Sequence, residues 1–180
     1  LTRMDSQADT LTNLIGELLD VSKMRAGNLE YADELVDINE LLTNLIEVMQ
    51  PTMTQHKIVF TGEACKPIHG DKERLKQVFT NLLTNAVKYS PAAEYVGIHI
   101  DTSESGIVVS VRDHGIGIPK DVQKKIFERF YRVEMVRDSS FPGLGMGLYI
   151  VEAIVKRHGG KITVESEEGQ GSTFSVSLPY

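Results

Sequence analysis

Gly106-Ile107-Val108-Val109-Ser110-Val111-Arg112-Asp113-His114-Gly115-Ile116-Gly117-Ile118 is a β-branched run that delivers a carboxylate and then two spaced glycines. The run predicts a strand over Gly106 to Asp113. Upstream, Val96 to Asp101 alternates apolar and polar residues, and Ser103-Glu104-Ser105-Gly106 between them has hairpin chemistry. A second hairpin is predicted at the C-terminus, where Lys161–Val164 and Thr173–Leu178 flank Glu168-Gly169-Gln170-Gly171. Further strands are read at Leu35-Val36-Asp37-Ile38 and at Ile58-Val59-Phe60.

Helices interleave with these strands. Leu75, Val78, Phe79, Leu82, Leu83 and Ala86 keep helical period from Asp71 to Ser90-Pro91. Leu41, Leu42, Leu45, Ile46 and Met49 do the same behind a cap at Asp37 or Asn39, and Gly147 to His158 is helical again. A short helical piece is expected around Val122 to Phe130. The pattern favours an α/β two-layer sandwich, a mixed, mostly antiparallel sheet with helices on one face. One long helix precedes it: Leu11, Leu14, Ile15, Leu18, Leu19 and Ser22 form a stripe, closed at Ala26-Gly27-Asn28. Two units are therefore expected, a helix and linker over 1–33 and a globular domain over 34–180.

The chain has 180 residues, 41% hydrophobic and 24% charged, with a net charge of -6. That size buries a core without staples. No apolar run is long enough to span a bilayer. The negative charge offers no basic stripe to displace counterions, which argues against nucleic-acid binding. Cys65 is the single cysteine, so an internal disulfide is excluded; a lone thiol fits a reducing, cytoplasmic compartment, and its plain reading is a small filler near a strand. The opening at Leu1, inside a helical pattern, is the expectation for a fragment of something longer.

Three motifs carry chemistry. In Asn81-Leu82-Leu83-Thr84-Asn85-Ala86-Val87-Lys88-Tyr89, Asn81 and Asn85 share one helix face with Gln77 and near Lys88. Amides are neutral oxygen donors that suit a Mg²⁺ already carrying phosphate, and Lys88 offers a point charge. The plain alternative is a solvated polar face. Asp113, ending its strand beside Gly115 and Gly117, can accept from an exocyclic amine; an Asp-initiated turn is the plain alternative. Gly143-Leu144-Gly145-Met146-Gly147-Leu148 opens a helix, where backbone N–H groups suit a polyphosphate. It follows no βαβ strand and lacks Gly-Lys-Ser/Thr, so neither the dinucleotide fold nor the P-loop applies.

In this order and spacing, the three motifs resemble the ATP site of the gyrase, heat-shock chaperone, histidine kinase and mismatch-repair superfamily, the Bergerat fold. Within it the chain looks like the sensor histidine kinases. Ile126-Phe127-Glu128-Arg129-Phe130-Tyr131-Arg132 matches their F box, Gly169-Gln170-Gly171-Ser172-Thr173-Phe174 their last glycine box, and His158-Gly159-Gly160 is placed as in that family. The match runs from about Asp37 to Pro179, and Leu18 to Met24 looks like the second helix of their dimerisation hairpin.

The resemblance implies roles. Asn85 would coordinate Mg²⁺ with Asn81 in support, and Lys88 and Tyr89 would lie by the phosphates and sugar. Asp113 would bind the adenine amino group, with Gly115, Gly117 and Ile118 shaping the pocket. Gly143, Leu144, Gly145, Met146, Gly147 and Leu148 would border the phosphates, Thr173 would belong to the ATP site, and Arg132 would reach the γ-phosphate. Leu144 stands where many relatives have Thr, and His114 reads as a rim residue. Phe127 and Phe130 would anchor a lid over Pro119 to Pro142. The implied partners are a second copy through the N-terminal helix and a response-regulator receiver domain. Asn81 occupies the place of the water-activating Glu of related ATPases, so hydrolysis should be slow. None of His56, His69, His99, His114 and His158 has the phosphoacceptor context, and the acceptor is expected on a helix before Leu1. An anti-sigma-factor serine kinase and a nucleotide-sensing pseudokinase are the competing readings.

Overall fold

The computed structural model describes residues 12, 15, 16, 18–23, 31–133 and 143–180. Among the described residues there are seven strands, β1 (Glu34–Val36), β2 (Lys57–Gly62), β3 (Ile68–Gly70), β4 (Tyr95–Thr102), β5 (Gly106–Arg112), β6 (Lys161–Glu167) and β7 (Gly171–Pro179). Three helices of the domain accompany them, α1 (Ile38–Met49), α2 (Lys72–Tyr89) and α3 (Gly147–Arg157). Five strands form one sheet in the order β2-β4-β5-β7-β6, with β2 parallel to β4 and every other pair antiparallel. β1 and β3 make a separate antiparallel pair.

Strand alternation separates the faces of the sheet. Val96, Ile98 and Ile100 of β4, Val109 and Val111 of β5, and Val176 of β7 are buried under the helices. The opposite face carries a row in cross-strand register, Thr61, His99, Ser110, Ser175 and Thr163, none of them buried. An apolar face under helices and a small polar face toward water make a two-layer sandwich, as the periodicity predicts.

Local chemistry fixes the helix ends. Asp71 caps α2: its Oδ1 accepts from the Arg74 N–H at 2.9 Å and its Oδ2 from the Ala32 N–H at 2.9 Å. Burial pushes the Asp71 carboxyl up, but these bonds and the Arg74 charge outweigh it and hold its pKa below the ordinary value. His158 supports the same turn. Its Nε2 accepts from the Asp71 N–H at 2.9 Å, so Nδ1 carries the proton and donates to the Ile154 carbonyl at 2.8 Å.

Several expectations need revision. The first strand stops at Val36, because Asp37 Oδ1 accepts from the Asn39 and Glu40 N–H groups and caps α1, making Ile38 helical. Asn39 instead ties α1 to Ala64 through two amide bonds. β3, three residues long, gave no periodic signal. The piece at Val122–Phe130 is only a 3-10 turn at Lys125–Phe127. Phe127 packs on the core, but Phe130 is 60% exposed at φ 60 and anchors nothing among the described residues.

Residues 18–23 are helical, and they meet the domain with the flank of the helix rather than its stripe. Val21 is buried, and Asp20 binds Arg74 Nη1 at 3.0 Å and Gln77 Nε2 at 2.7 Å. Ile15, Leu18 and Leu19 point outward. Leu11, Leu14 and the Ala26-Gly27-Asn28 stop lie outside the described residues, as does the 134–142 part of the expected lid.

Candidate active site

One cleft of about 550 Å³ lies between α2, the end of β5 and the start of α3. Its first wall is the polar face of α2. Asn81, Thr84, Asn85 and Lys88 line the cleft, while Leu82, Leu83 and Ala86 are buried on the other side of the helix. The Asn85 amide has no hydrogen-bond partner among the described residues, and Asn81 Nδ2 lies 3.5 Å from the Gly147 carbonyl, a long contact. Lys88 Nζ sits 4.9 Å from the Tyr89 ring centroid. Burial pushes the Tyr89 phenol up, against the charge of Arg132, which also lines the cleft.

The second wall is Asp113, 5% exposed at the end of β5. Burial pushes its carboxyl above the ordinary value, and hydrogen bonds from the Gly115 N–H and from Ser172 pull partly against that rise. The glycines that follow serve the backbone. A Cβ on Gly115 would stand 2.0 Å from the Tyr89 carbonyl oxygen, and one on Gly117 (φ +69) 2.0 Å from that of Glu167. Both absences let chain segments touch, so the loop after Asp113 is wedged between α2 and the β6–β7 hairpin.

The third wall is the glycine loop. All six residues from Gly143 to Leu148 line the cleft, with Gly143 at φ 148 and Gly145 at φ 73. The N-cap residue of α3 is Met146, whose side chain makes no capping bond, so among the described residues its first N–H groups lack the usual side-chain acceptor. With the helix dipole, that end favours an anion.

The structure thus gathers Asn81, Asn85, Lys88, Tyr89, Asp113, Gly117, Ile118, Arg132 and the glycine loop around one space. Two expected residues stand apart from it. Gly115 acts from behind, against Tyr89, and Thr173 falls on the outer face of the sheet between Arg112 and Glu165. Its neighbours Ser172 and Phe174 line the cleft instead, a one-residue error that the period of two from buried Phe174 would have caught. Ile126 and Tyr131, from the F-box stretch, also line it, as does Met53, which has no local signature. His114 is exposed and contacts Tyr95 at 3.3 Å, as a rim residue would. No cluster of three or more metal-ligating His, Cys, Asp or Glu occurs among the described residues, so a divalent ion here would rely on amide and phosphate oxygens. The Asn85 amide fits that donor set.

Known proteins share this sequence and fold. The family model for histidine kinase-, DNA gyrase B-, and HSP90-like ATPases matches residues 70–180. The sensor histidine kinase WalK of Bacillus subtilis is 34% identical over 179 residues, covering 97% of this chain and 29% of that protein. The sensor-like histidine kinase SenX3 of Mycolicibacterium smegmatis is 32% identical, covering 98% of this chain and 47% of that protein. The chain thus spans less than half the length of either relative. Among solved structures, full-length ShkA in complex with AMPPNP superposes with a TM-score of 0.84 at 30% identity, over 99% of this chain and 37% of that one. The chain belongs to the histidine kinase-, DNA gyrase B- and HSP90-like ATPase family, and within it has the sequence and fold of the ATP-binding catalytic domain of sensor histidine kinases.

Proposed function

We propose that this domain binds Mg·ATP and transfers its γ-phosphoryl group to a histidine on a dimerisation hairpin, for relay to a response-regulator aspartate. The observation that carries the reading is the convergence of Asn85, Asp113 and an uncapped helix start on one cleft. The AMPPNP bound by the structural relative ShkA agrees with it. Asp113 accepts from the adenine amine, with Gly117 and Ile118 beside the base. Gly143 to Leu148 and the first N–H groups of α3 receive the phosphates. Lys88 and Arg132 neutralise phosphate charge, and Asn85 supplies an amide oxygen to Mg²⁺, which screens the phosphates when bound. Asn81, an amide, takes no proton from water, which keeps the γ-phosphate for a protein acceptor.

The chain's own histidines are poor acceptors. His56 is buried with Nε2 2.8 Å from the Ser90 carbonyl, and His158 is engaged at both nitrogens. His69 and His99 lie on strands, and His114 on the rim. Radiolabelled ATP given to this domain together with its phosphoacceptor hairpin should yield an acid-labile, base-stable phosphoprotein, and Asn85→Ala should abolish the label. No label would promote the nucleotide-sensing pseudokinase reading, and rapid hydrolysis by this chain alone would refute the role given to Asn81.

The outward-facing Ile15, Leu18 and Leu19 favour a second copy as the partner of the N-terminal helix. Light scattering should find a dimer that becomes a monomer, still binding ATP, once residues 1–26 are removed. A monomeric intact chain at high concentration counts against that partner.

A further inference from the structure

Between Phe127 and Tyr131 the chain leaves the core and comes back. Ile126 is buried and Phe127 half-buried, and Glu128, Arg129 and Phe130 are exposed. Tyr131, Arg132 and Val133 are half-buried again and line the cleft. The return is made by a turn in which the Tyr131 N–H donates to the Glu128 carbonyl at 3.3 Å. Phe130 is the third residue of that turn and stands at φ 60, the sole non-glycine at positive φ among the described residues. A type II turn gives this place to Gly or Asn, because a Cβ is crowded there and bulky residues adopt it rarely. The Phe130 ring is 60% exposed and outside the core, so its packing does not account for the conformation.

What the turn does is aim the residues that follow. A Cβ on Gly145 would stand 2.6 Å from the Tyr131 carbonyl oxygen and 3.1 Å from both the Phe130 carbonyl carbon and Arg132 Cγ. The returning chain therefore lies directly on the glycine loop, with no room for a side chain between them. The Arg132 charge is felt at the Tyr89 phenol, another residue of the cleft. Arg129, just before Phe130, goes elsewhere: its guanidinium lies 5.6 Å from the ring centroid of Tyr149, a residue of α3 outside the cleft lining. Arg129 and Arg132 are thus sent to different places, and the left-handed residue lies between them.

We propose that Phe130 is a positioning residue that acts through its backbone. Its left-handed turn carries Arg132 onto the glycine loop, where the guanidinium recognises the terminal phosphate of a nucleoside triphosphate. The proposal rests on the nucleotide reading above and assigns its preference for a triphosphate to a residue outside the cleft lining.

The test is calorimetric titration of the chain with Mg·ATP and with Mg·ADP, read as the ratio of the ADP to the ATP dissociation constant. Arg132→Ala should lower that ratio about tenfold, the fold-change of one charged hydrogen bond. Phe130→Val puts a β-branched residue where positive φ is least tolerated, and Phe130→Pro fixes φ at about −65°. Both should lower the ratio about fivefold or more, and neither should lower it further in an Arg132→Ala background. Phe130→Gly removes the ring and eases the turn, so it should hold the ratio at or above the wild-type value. The valine variant carries the test if the proline variant does not fold. A glycine variant that loses the ratio as valine does would assign the effect to the ring and overturn the proposal. Valine and proline variants that melt earlier yet keep the wild-type ratio overturn it too, and leave Phe130 a structural turn. An Arg132→Ala chain that still binds ATP with the wild-type ratio sinks this proposal alone. A wild-type chain that binds neither nucleotide overturns the nucleotide reading itself, and this one with it.

Discussion

The two ends of the cleft, the Asp113 end proposed for the base and the glycine-loop end proposed for the phosphates, are built on opposite plans. At the base end the groups are already bonded to protein: Asp113 accepts from Gly115, the Ile116 N–H donates to the Tyr89 carbonyl, and the Ile118 N–H donates to Ser166. At the phosphate end, the Asn85 amide has no partner among the described residues, α3 has no side-chain cap, and the loop runs through Gly143 and Gly145 at positive φ. One end is finished before a ligand arrives, and the other offers groups that a ligand would complete. The lesson is that a glycine means different things at the two ends. Near the base it permits backbone to touch backbone, and near the phosphates it permits a turn that presents N–H groups.

That contrast breaks first at Gly117. Gly117→Ala forces a Cβ to within 2.0 Å of the Glu167 carbonyl oxygen at φ +69, with no flexible side chain to give way. The left-handed conformer alone costs roughly 1–2 kcal/mol, and displacing the hairpin should bring the loss above about 3 kcal/mol. Thermal melts and denaturant titration measure it. Gly143→Ala meets only Lys88 Nζ among the described residues, at 3.2 Å, but its φ of +148 strains any side chain, so it should lower the melting temperature by less than Gly117→Ala and weaken ATP as well. Equal destabilisation by both changes would erase the distinction.

Asp113→Asn sharpens it. Losing a charged acceptor should weaken ATP by ~1.5–3 kcal/mol. The free domain should gain stability, because burial holds the folded carboxyl above its ordinary pKa and ionising it in the folded state costs energy. A raised folded pKa means that this penalty grows as pH rises through the folded value. The gain should therefore be present at neutral pH and vanish well below it. Calorimetry and melts at both pH values decide this, and an asparagine variant less stable than wild type at neutral pH would refute the account.

Asp71→Ala carries the smallest expected effect, since the residue caps a helix without touching the cleft. It should cost about 1 kcal/mol at neutral pH. The folded pKa is depressed, so the contribution is present above the unfolded pKa and lost as pH falls through the folded value. The gap between wild type and variant should close below about pH 4. ATP affinity should stay within about twofold, and a larger change would tie this cap to the site.

Long elements were legible because their periods are unambiguous. α2 runs Lys72–Tyr89 behind its Asp71 cap, and the two hairpins fall where alternation and turn chemistry place them. β3 was not legible, because three residues carry no period. The Asn face, Asp113 and the glycine loop were found because each is a local motif. Thr173 was misplaced because a motif names a stretch, whereas the pleat decides which member faces inward. Met53 reaches the cleft only through the fold.

The row Thr61, His99, Ser110, Ser175 and Thr163 crosses the whole sheet on the side away from the helices. An interior layer therefore insulates that surface from the nucleotide cleft, which makes it a place for instrumentation. A dye or spin label on Ser175→Cys would ride on the rigid centre of the domain without entering the cleft. Cys65 is exposed and would take the same reagent, so it must be replaced first. The domain's back is thus a mounting plate from which movements of its front can be measured.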